Sequence, residues 1–339
     1  MSAVTIKDVA AAAEVSVGTA SMALNGKKNI SSETREKVLE VADRLGYKPN
    51  RYARFLTSKH THTIGLIITD ITNPFFGLLT DYIQQNLDEQ GYDLMLGISA
   101  GSITKEKDIV DKFISLWVDG VICVPSHKAS EDVHHFRELQ KRGIPLCFIT
   151  TYYNDVNAPC VMTDLSAGSY SLTKHLLKNG HRSIFYIVAN LALPLAKLRV
   201  EGYRAAFAEV NIPLSDNWII EDVSTFEGGY HAVDEILRIM KPDAILSMND
   251  IIALGVMKRL KECGYHIPED ISVAGYDDLI YTTLLETPLT TVQQPVSEMC
   301  KRVVSILIER IDHPELIGEK ILLAPKLVIR ESTRSLNKE

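Results

Sequence analysis

The sequence has no apolar run approaching the ~18 to 20 residues of a membrane-spanning helix, so no transmembrane helix and no membrane partner is expected. Its start, MSAVTIKDVA, lacks a basic segment followed by an apolar one, so no export signal is expected and the cytoplasm is the expected compartment. The five cysteines (Cys123, Cys147, Cys160, Cys263 and Cys300) are odd in number and widely spaced, which suits neither a disulfide framework nor a CxxC metal clip. They are expected to be reduced and mostly buried. There is no GxxxxGK[ST] phosphate loop, and no GxGxxG follows a strand. The ten histidines form no HExxH or spaced Cys/His set; His134 and His135 are adjacent, cannot easily share a metal from one helix, and are expected on the solvated surface. No cofactor and no metal are therefore expected.

What is present is an uneven distribution of charge. The net charge of −7 averages a head and a body of opposite sign: residues 1–60 carry net +4 and the rest net −11. A basic head on an acidic body suggests that any nucleic-acid contact belongs to the head. Thr5 can cap the helix IKDVAAAA, with Asp8 completing a capping box; Val17–Leu24 can form a second helix; Ser31 can cap a third, ended by Gly46. Ile6, Val9, Ala10, Val15, Ala20, Leu24, Val38, Val41 and Leu45 recur at helical spacing and would share a small core. Three short helices of this kind describe a helix-turn-helix module.

YKPNRYARFLTSKHTHT then breaks the pattern and reads as a linker. From Ile64 onward, apolar runs (IGLIIT, YDLMLG, GVICVP, PLCFIT, CVMTD, SIFYIV, AILSM, SVAGYDD) alternate with amphipathic segments at 75–90, 105–117, 130–142, 166–179, 199–210, 226–240, 251–263 and 296–311. Such alternation implies parallel sheets with helices on both faces. About a dozen strands exceed one compact sheet of usual size. The expected fold is a small all-α head plus an α/β body of two doubly wound parallel-sheet lobes.

These segments carry a resemblance. TIKDVAAAAEVSVGTASMALNGKKNISSETREKVLEVADRLGYKPNRYARFL is similar to the DNA-binding head of the lactose-repressor/galactose-repressor family of bacterial transcriptional regulators, and IGLIITDITNPFF, LRVEGYRAAF, SMNDIIALGVM, VAGYDDL and PLTTVQQP match its body in order. The resemblance spans residues 4 to about 333. It implies a helix-turn-helix domain over 1–48, a hinge helix and linker over 49–61, and an effector-binding and dimerisation domain over 62–339. Within that body it implies an N-lobe of about 62–161 and 292–321 and a C-lobe of about 162–291 and 322–333, built like periplasmic binding proteins. It further implies a homodimer on a near-palindromic double-stranded DNA operator, with a small-molecule effector between the lobes changing DNA affinity. Dimerisation also follows from mirrored half-sites, which demand two-fold symmetry in the protein.

By this resemblance Val17, Gly18 and Met22 match base-reading positions, and Thr5, Ser16, Thr19, Ser21, Asn25, Asn50, Arg51 and Arg54 match or adjoin backbone-contacting ones. Ala53 and Leu56 fall on the minor-groove face of the hinge, with Leu56 the apolar wedge. Val17 and Met22 have almost no hydrogen-bonding power. Family members commonly place an arginine at Met22, where it grips guanine; Met22 can only pack on a thymine methyl. An unusual half-site is expected, with specificity shifted toward shape and the hinge.

For the effector, the resemblance points to Asp70, Phe75, Phe76, Thr150, Arg199, Asn249, Asp277 and Gln294. Flat aromatic faces suit the C–H surface of a sugar or base, and a carboxylate with a guanidinium suits vicinal hydroxyls. Asn249 and Asp277 could equally cap helices, and Phe75 and Phe76 could be ordinary core. Two positions depart from the family: Thr150 stands where an acid is frequent, and Ser224 where sugar-binding members carry an aromatic shelf, although Phe226 is close. A sugar or sugar derivative is the favoured effector; a nucleoside or base, or a protein corepressor, is the alternative.

Two other classes are weighed. GISAG, residues 97–101, matches the nucleophile elbow GxSxG and would make Ser99 a hydrolase nucleophile; the same serine also suits a loop whose hydroxyl faces the cleft. A stand-alone sugar-binding protein would carry an export signal in place of the head. The expected identity is a non-enzymatic, ligand-responsive regulator, most simply a repressor. The sequence runs out soon after the strand KLVIR, with no leucine heptads, so no tetramer through a C-terminal bundle is expected.

Overall fold

A computed structural model describes residues 4–24, 29–47, 60–126, 133–222, 224–314 and 318–337. Contacts divide the chain into two units, meeting between Thr61 and His62.

The first unit holds α1 (Ile6–Ala12), α2 (Val17–Leu24) and α3 (Ser32–Arg44). Each start is built from short polar side chains, as helix N-termini require. The Asp8 carboxylate accepts from the Thr5 backbone N–H at 2.8 Å and from its hydroxyl at 2.7 Å. Ser16 Oγ accepts from the Thr19 N–H at 3.0 Å, and Ser31 Oγ from the Thr34 N–H at 3.2 Å. The small core gathers Val9, Ala10, Ala20, Val38 and Val41, with Ile6, Val15, Leu24 and Leu45 half-buried against it. Ala13, Ala23 and Ala42 complete it, so the helices approach through alanines.

The second unit is α/β, with three sheets among the described residues. β1 (Thr63–Ile68), β2 (Asp93–Ile98), β3 (Gly120–Cys123), β4 (Leu146–Ile149), β5 (Cys160–Thr163) and β11 (Lys320–Leu323) make a six-stranded parallel sheet, ordered β11-β5-β4-β3-β1-β2. β6 (Ile184–Val188), β7 (Ile219–Glu221), β8 (Ala244–Ser247) and β9 (Ser272–Ala274) make a four-stranded parallel sheet, ordered β7-β6-β8-β9. An antiparallel pair, β10 (Thr291–Gln293) with β12 (Lys326–Val328), lies on the segments that pass between the two larger sheets.

Helices α4 (Pro74–Glu89), α5 (Ile103–Ser115), α6 (His134–Lys141) and α11 (Val296–Asp312) cover the first sheet. Those on the second are α7 (Leu165–Lys178), α8 (Pro194–Glu209), α9 (Phe226–Ile239) and α10 (Asp250–Glu262). Strands β1, β3, β4, β5, β6 and β8 are buried along their whole length, which is why they read as unbroken apolar runs. α7 and α8 pack closely at Gly202, where a Cβ would lie 2.0 Å from the Ser166 carbonyl oxygen.

Both parallel sheets reverse strand order once, between β1 and β3 in the first and between β6 and β8 in the second. Ligands of open α/β sheets bind beyond the carboxyl ends of the strands at such reversals.

Candidate functional site

A cavity of about 350 Å³ lies where that rule directs. Thr69 and Asp70 follow β1, Val124–Ser126 follow β3, Ala189 follows β6, and Met248 with Asn249 follow β8; all line it. So do Phe75, Phe76, Thr150, Arg199, Asp277 and Gln294. Every residue expected at the effector site, from seven separate places in the chain, thus borders one space. Ser224 lines it too, whereas Phe226 does not: that ring starts α9, is 38% exposed and borders a separate groove. Among the described residues, the aromatic side chains lining the cavity are Phe75 and Phe76.

Phe75 and Phe76 enter at the first turn of α4, where Asn73 Oδ1 accepts the Phe75 N–H at 3.0 Å. Their rings stand edge to face with centroids 5.4 Å apart, Phe75 buried and Phe76 half-exposed. Asp70 makes a local turn, its carboxylate accepting from the Thr72 N–H and hydroxyl at 2.8 and 2.7 Å.

Opposite them lies a polar group. The Arg199 guanidinium, only 5% exposed, sits 4.6 Å from the centre of the Tyr276 ring and donates to the Leu195 carbonyl at 3.3 Å. Its Nε is buried without a hydrogen-bond partner among the described residues. Asp277 accepts from Gln294 Nε2 at 2.7 Å, and burial pushes its carboxyl up to about 6 despite the opposing Arg199 charge. Behind it, burial and the Asp277 charge hold the Asp250 carboxyl well above the usual carboxylate range, although Thr291 and the Leu279 N–H donate to it.

Asn249 does cap α10, accepting the Ile252 N–H at 2.8 Å, and lines the cavity as well; the two readings of it are compatible. Asp277 caps no helix. It has φ +113°, and Thr150 has φ +70°, conformations that non-glycine residues adopt only when the surroundings compel them. Strain of this kind concentrates where side chains must be aimed.

Two readings are corrected. Ser99 is fully buried, donates to the Ile68 carbonyl at 3.2 Å and accepts from Ser126 Oγ at 2.6 Å, so its hydroxyl neither faces the cavity nor stands as an exposed nucleophile. His135 is not surface: adjacent helical residues point about 100° apart, and while His134 is exposed, His135 is 4% exposed and bonds Glu106 at 3.1 Å. No group of His, Cys, Asp and Glu among the described residues could hold a metal. Cys123, Cys147, Cys160 and Cys300 are buried free thiols and Cys263 is exposed.

In the head, Val17 and Met22 are 45% and 40% exposed on α2, and Gly18 is exposed beside them. Thr5 and Ser16 begin α1 and α2, and Thr19 and Ser21 are half-exposed. Asn25, Asn50, Arg51, Ala53, Arg54 and Leu56 lie outside the described residues.

Comparison with known proteins joins the two units. The model for "Bacterial regulatory proteins, lacI family" matches residues 5–50, and that for a periplasmic binding protein-like domain matches 173–333. The ribose operon repressor of Haemophilus influenzae is 33% identical over 98% of this chain and 99% of its own. The chain belongs to the lacI family of bacterial regulatory proteins. It is a sequence-specific DNA-binding regulator with an effector-binding body. Among solved structures, the lac repressor dimer bound to operator and the anti-inducer ONPF aligns with a TM-score of 0.86 and 25% identity, covering 98% of this chain and 100% of that one. A lacI-family regulator from Enterococcus faecium with bound ribose aligns with a TM-score of 0.72 and 29% identity, covering 81% and 100%. No helix among the described residues is long and apolar enough to cross a membrane.

Proposed function

We propose that the chain is a repressor acting in the cytoplasm as a homodimer on a near-palindromic operator, and that a sugar or sugar derivative in the cavity controls its grip on DNA. The observation carrying this reading is the convergence of Asp70, Phe75, Phe76, Thr150, Arg199, Asn249, Asp277 and Gln294 on one cavity that also holds a buried Arg199 Nε with no partner among the described residues. A buried donor without a partner costs about 1 to 3 kcal/mol, which a bound hydroxyl would recover. The likeness to the ribose operon repressor and to the ribose-bound regulator supports a sugar. The paired rings of Phe75 and Phe76 give a second reading, a nucleoside or base, because a flat aromatic face stacks on either.

On the DNA side, Val17, Gly18 and Met22 read the major groove and the hydroxyls of Thr5, Ser16, Thr19 and Ser21 lie along phosphates. Asn25, Asn50, Arg51 and Arg54 extend that contact. Ala53 and Leu56 serve the minor groove, and Leu56→Ala should weaken specific binding more than non-specific binding; equal losses would reject the wedge. A thermal-shift screen of sugars and nucleosides, followed by operator titration with and without the stabilising compound, tests the proposal. A compound that stabilises the protein and moves operator affinity supports it; stabilisation with no change in operator affinity contradicts effector control.

A further inference from the structure

Glu106 is fully buried in α5, yet it carries a carboxylate. Burying such a group costs several kcal/mol unless donors replace its water. Here they come from three other parts of the first sheet. The Ser126 N–H donates to Oε2 at 2.8 Å, the Tyr153 hydroxyl to Oε1 at 3.0 Å, and His135 Nε2 lies 3.1 Å from Oε1. The Cys123 thiol points at Oε2 from 3.9 Å. Burial and the neighbouring Glu106 charge push both the Tyr153 hydroxyl and the Cys123 thiol up, keeping them as protonated donors.

Ser126 is the member that reaches the cavity. It lies beyond the last residue of β3, so its N–H has no place in the strand ladder and is satisfied by Glu106 and by the Tyr153 oxygen at 3.0 Å. Its hydroxyl donates to Ser99 Oγ, which in turn donates to the Ile68 carbonyl at the end of β1. One connected network therefore ties the carboxyl ends of β1 and β3, on both sides of the strand-order reversal, to α5, α6 and the segment after β4. The wall residues Thr69, Asp70, Val124, Pro125 and Ser126 are the cavity side of that network. Glu106, His135, Tyr153 and Ser99 do not line the cavity.

We propose that Glu106 is a positioning residue for the cavity: by holding the Ser126 backbone it fixes the wall Val124–Ser126 and so sets effector affinity without touching the effector. This rests on reading the cavity as the effector site. The wall itself is a property of the protein alone and can be tested separately. Glu106→Leu removes every acceptor, whereas Glu106→Gln keeps one oxygen for the Ser126 N–H and turns its amide toward His135. Both are compared with the parent in the full chain by peptide-resolved amide hydrogen exchange, thermal unfolding and calorimetric titration with D-ribose.

In Glu106→Leu, exchange should quicken about tenfold or more in the peptide spanning 120–126 while peptides of β6 and β8 stay unchanged. D-ribose should bind about tenfold more weakly, and Glu106→Gln should bring both readouts to within about threefold of the parent. If Glu106→Leu does not fold, Tyr153→Phe, which deletes a single hydroxyl from the same network, should show the same local quickening at smaller amplitude. Unchanged exchange over 120–126, or a quickening spread evenly across the body, overturns the proposal. If the parent itself does not bind D-ribose, that sugar is excluded as effector, and the exchange result decides the role of Glu106.

Discussion

Asp277 is the cavity residue whose charge is most easily changed. Burial raises its carboxyl to about 6, so the folded protein takes up a proton there more readily than the unfolded chain, and the ionised form dominates only above that pH. An effector that donates a hydroxyl to Asp277 competes with this proton. Apparent affinity should therefore fall about tenfold between pH 8 and pH 5, and Asp277→Asn should remove the step; a flat profile in the parent would exclude the contact. In the head, Met22→Arg places a bidentate donor on the exposed face of α2. Selection from random DNA should then show a new guanine preference at one position of each half-site, worth ~1 to 3 kcal/mol, and an unchanged consensus would show that Met22 does not face the bases. Arg199, Asp277 and Gln294 were legible because each sits in a short motif of fixed type. Glu106 and His135 were not, since a charged residue on an amphipathic helix ordinarily faces water. The available signal was spacing: Glu106, Val110 and Phe113 share one helical face, and that face is buried.

Helices and long strands announce themselves through period. α2 occupies Val17–Leu24 as the spacing predicts, and the body helices α4, α5, α7 and α9–α11 begin and end within a few residues of their apolar stripes. β7 and β10 are three residues each, too short for any period to show, and only the ladder identifies them. The positive φ of Thr150 was equally invisible, because a β-branched residue does not favour it and the cause is tertiary. Gly202 gives a test at this scale. A side chain there meets the Ser166 carbonyl and forces α7 from α8, so Gly202→Val should cost about 1 to 3 kcal/mol in urea unfolding. An unaltered midpoint would mean that the two helices do not pack as closely as described.

The whole molecule separates two tasks between two units. The basic charge gathers in the head, and the acidic body holds the cavity at the strand-order reversals of two parallel sheets. This division was legible from charge asymmetry and from the change of hydrophobic period near residue 62. The identity of the effector was not, because Thr150 and Ser224 stand where the family's discriminating side chains are expected. A fragment of 62–339 should keep any thermal stabilisation by the effector and lose sequence-specific DNA binding. The most direct measurement is operator titration at fixed salt with the full chain and with this fragment, each with and without the stabilising compound, since affinities compared at different salt mean little. The full chain should bind selected operator DNA far more tightly than scrambled DNA, with an affinity that the compound changes, and the fragment should show no preference. Sequence-specific binding by the fragment, or operator affinity indifferent to a compound that occupies the cavity, would contradict the account.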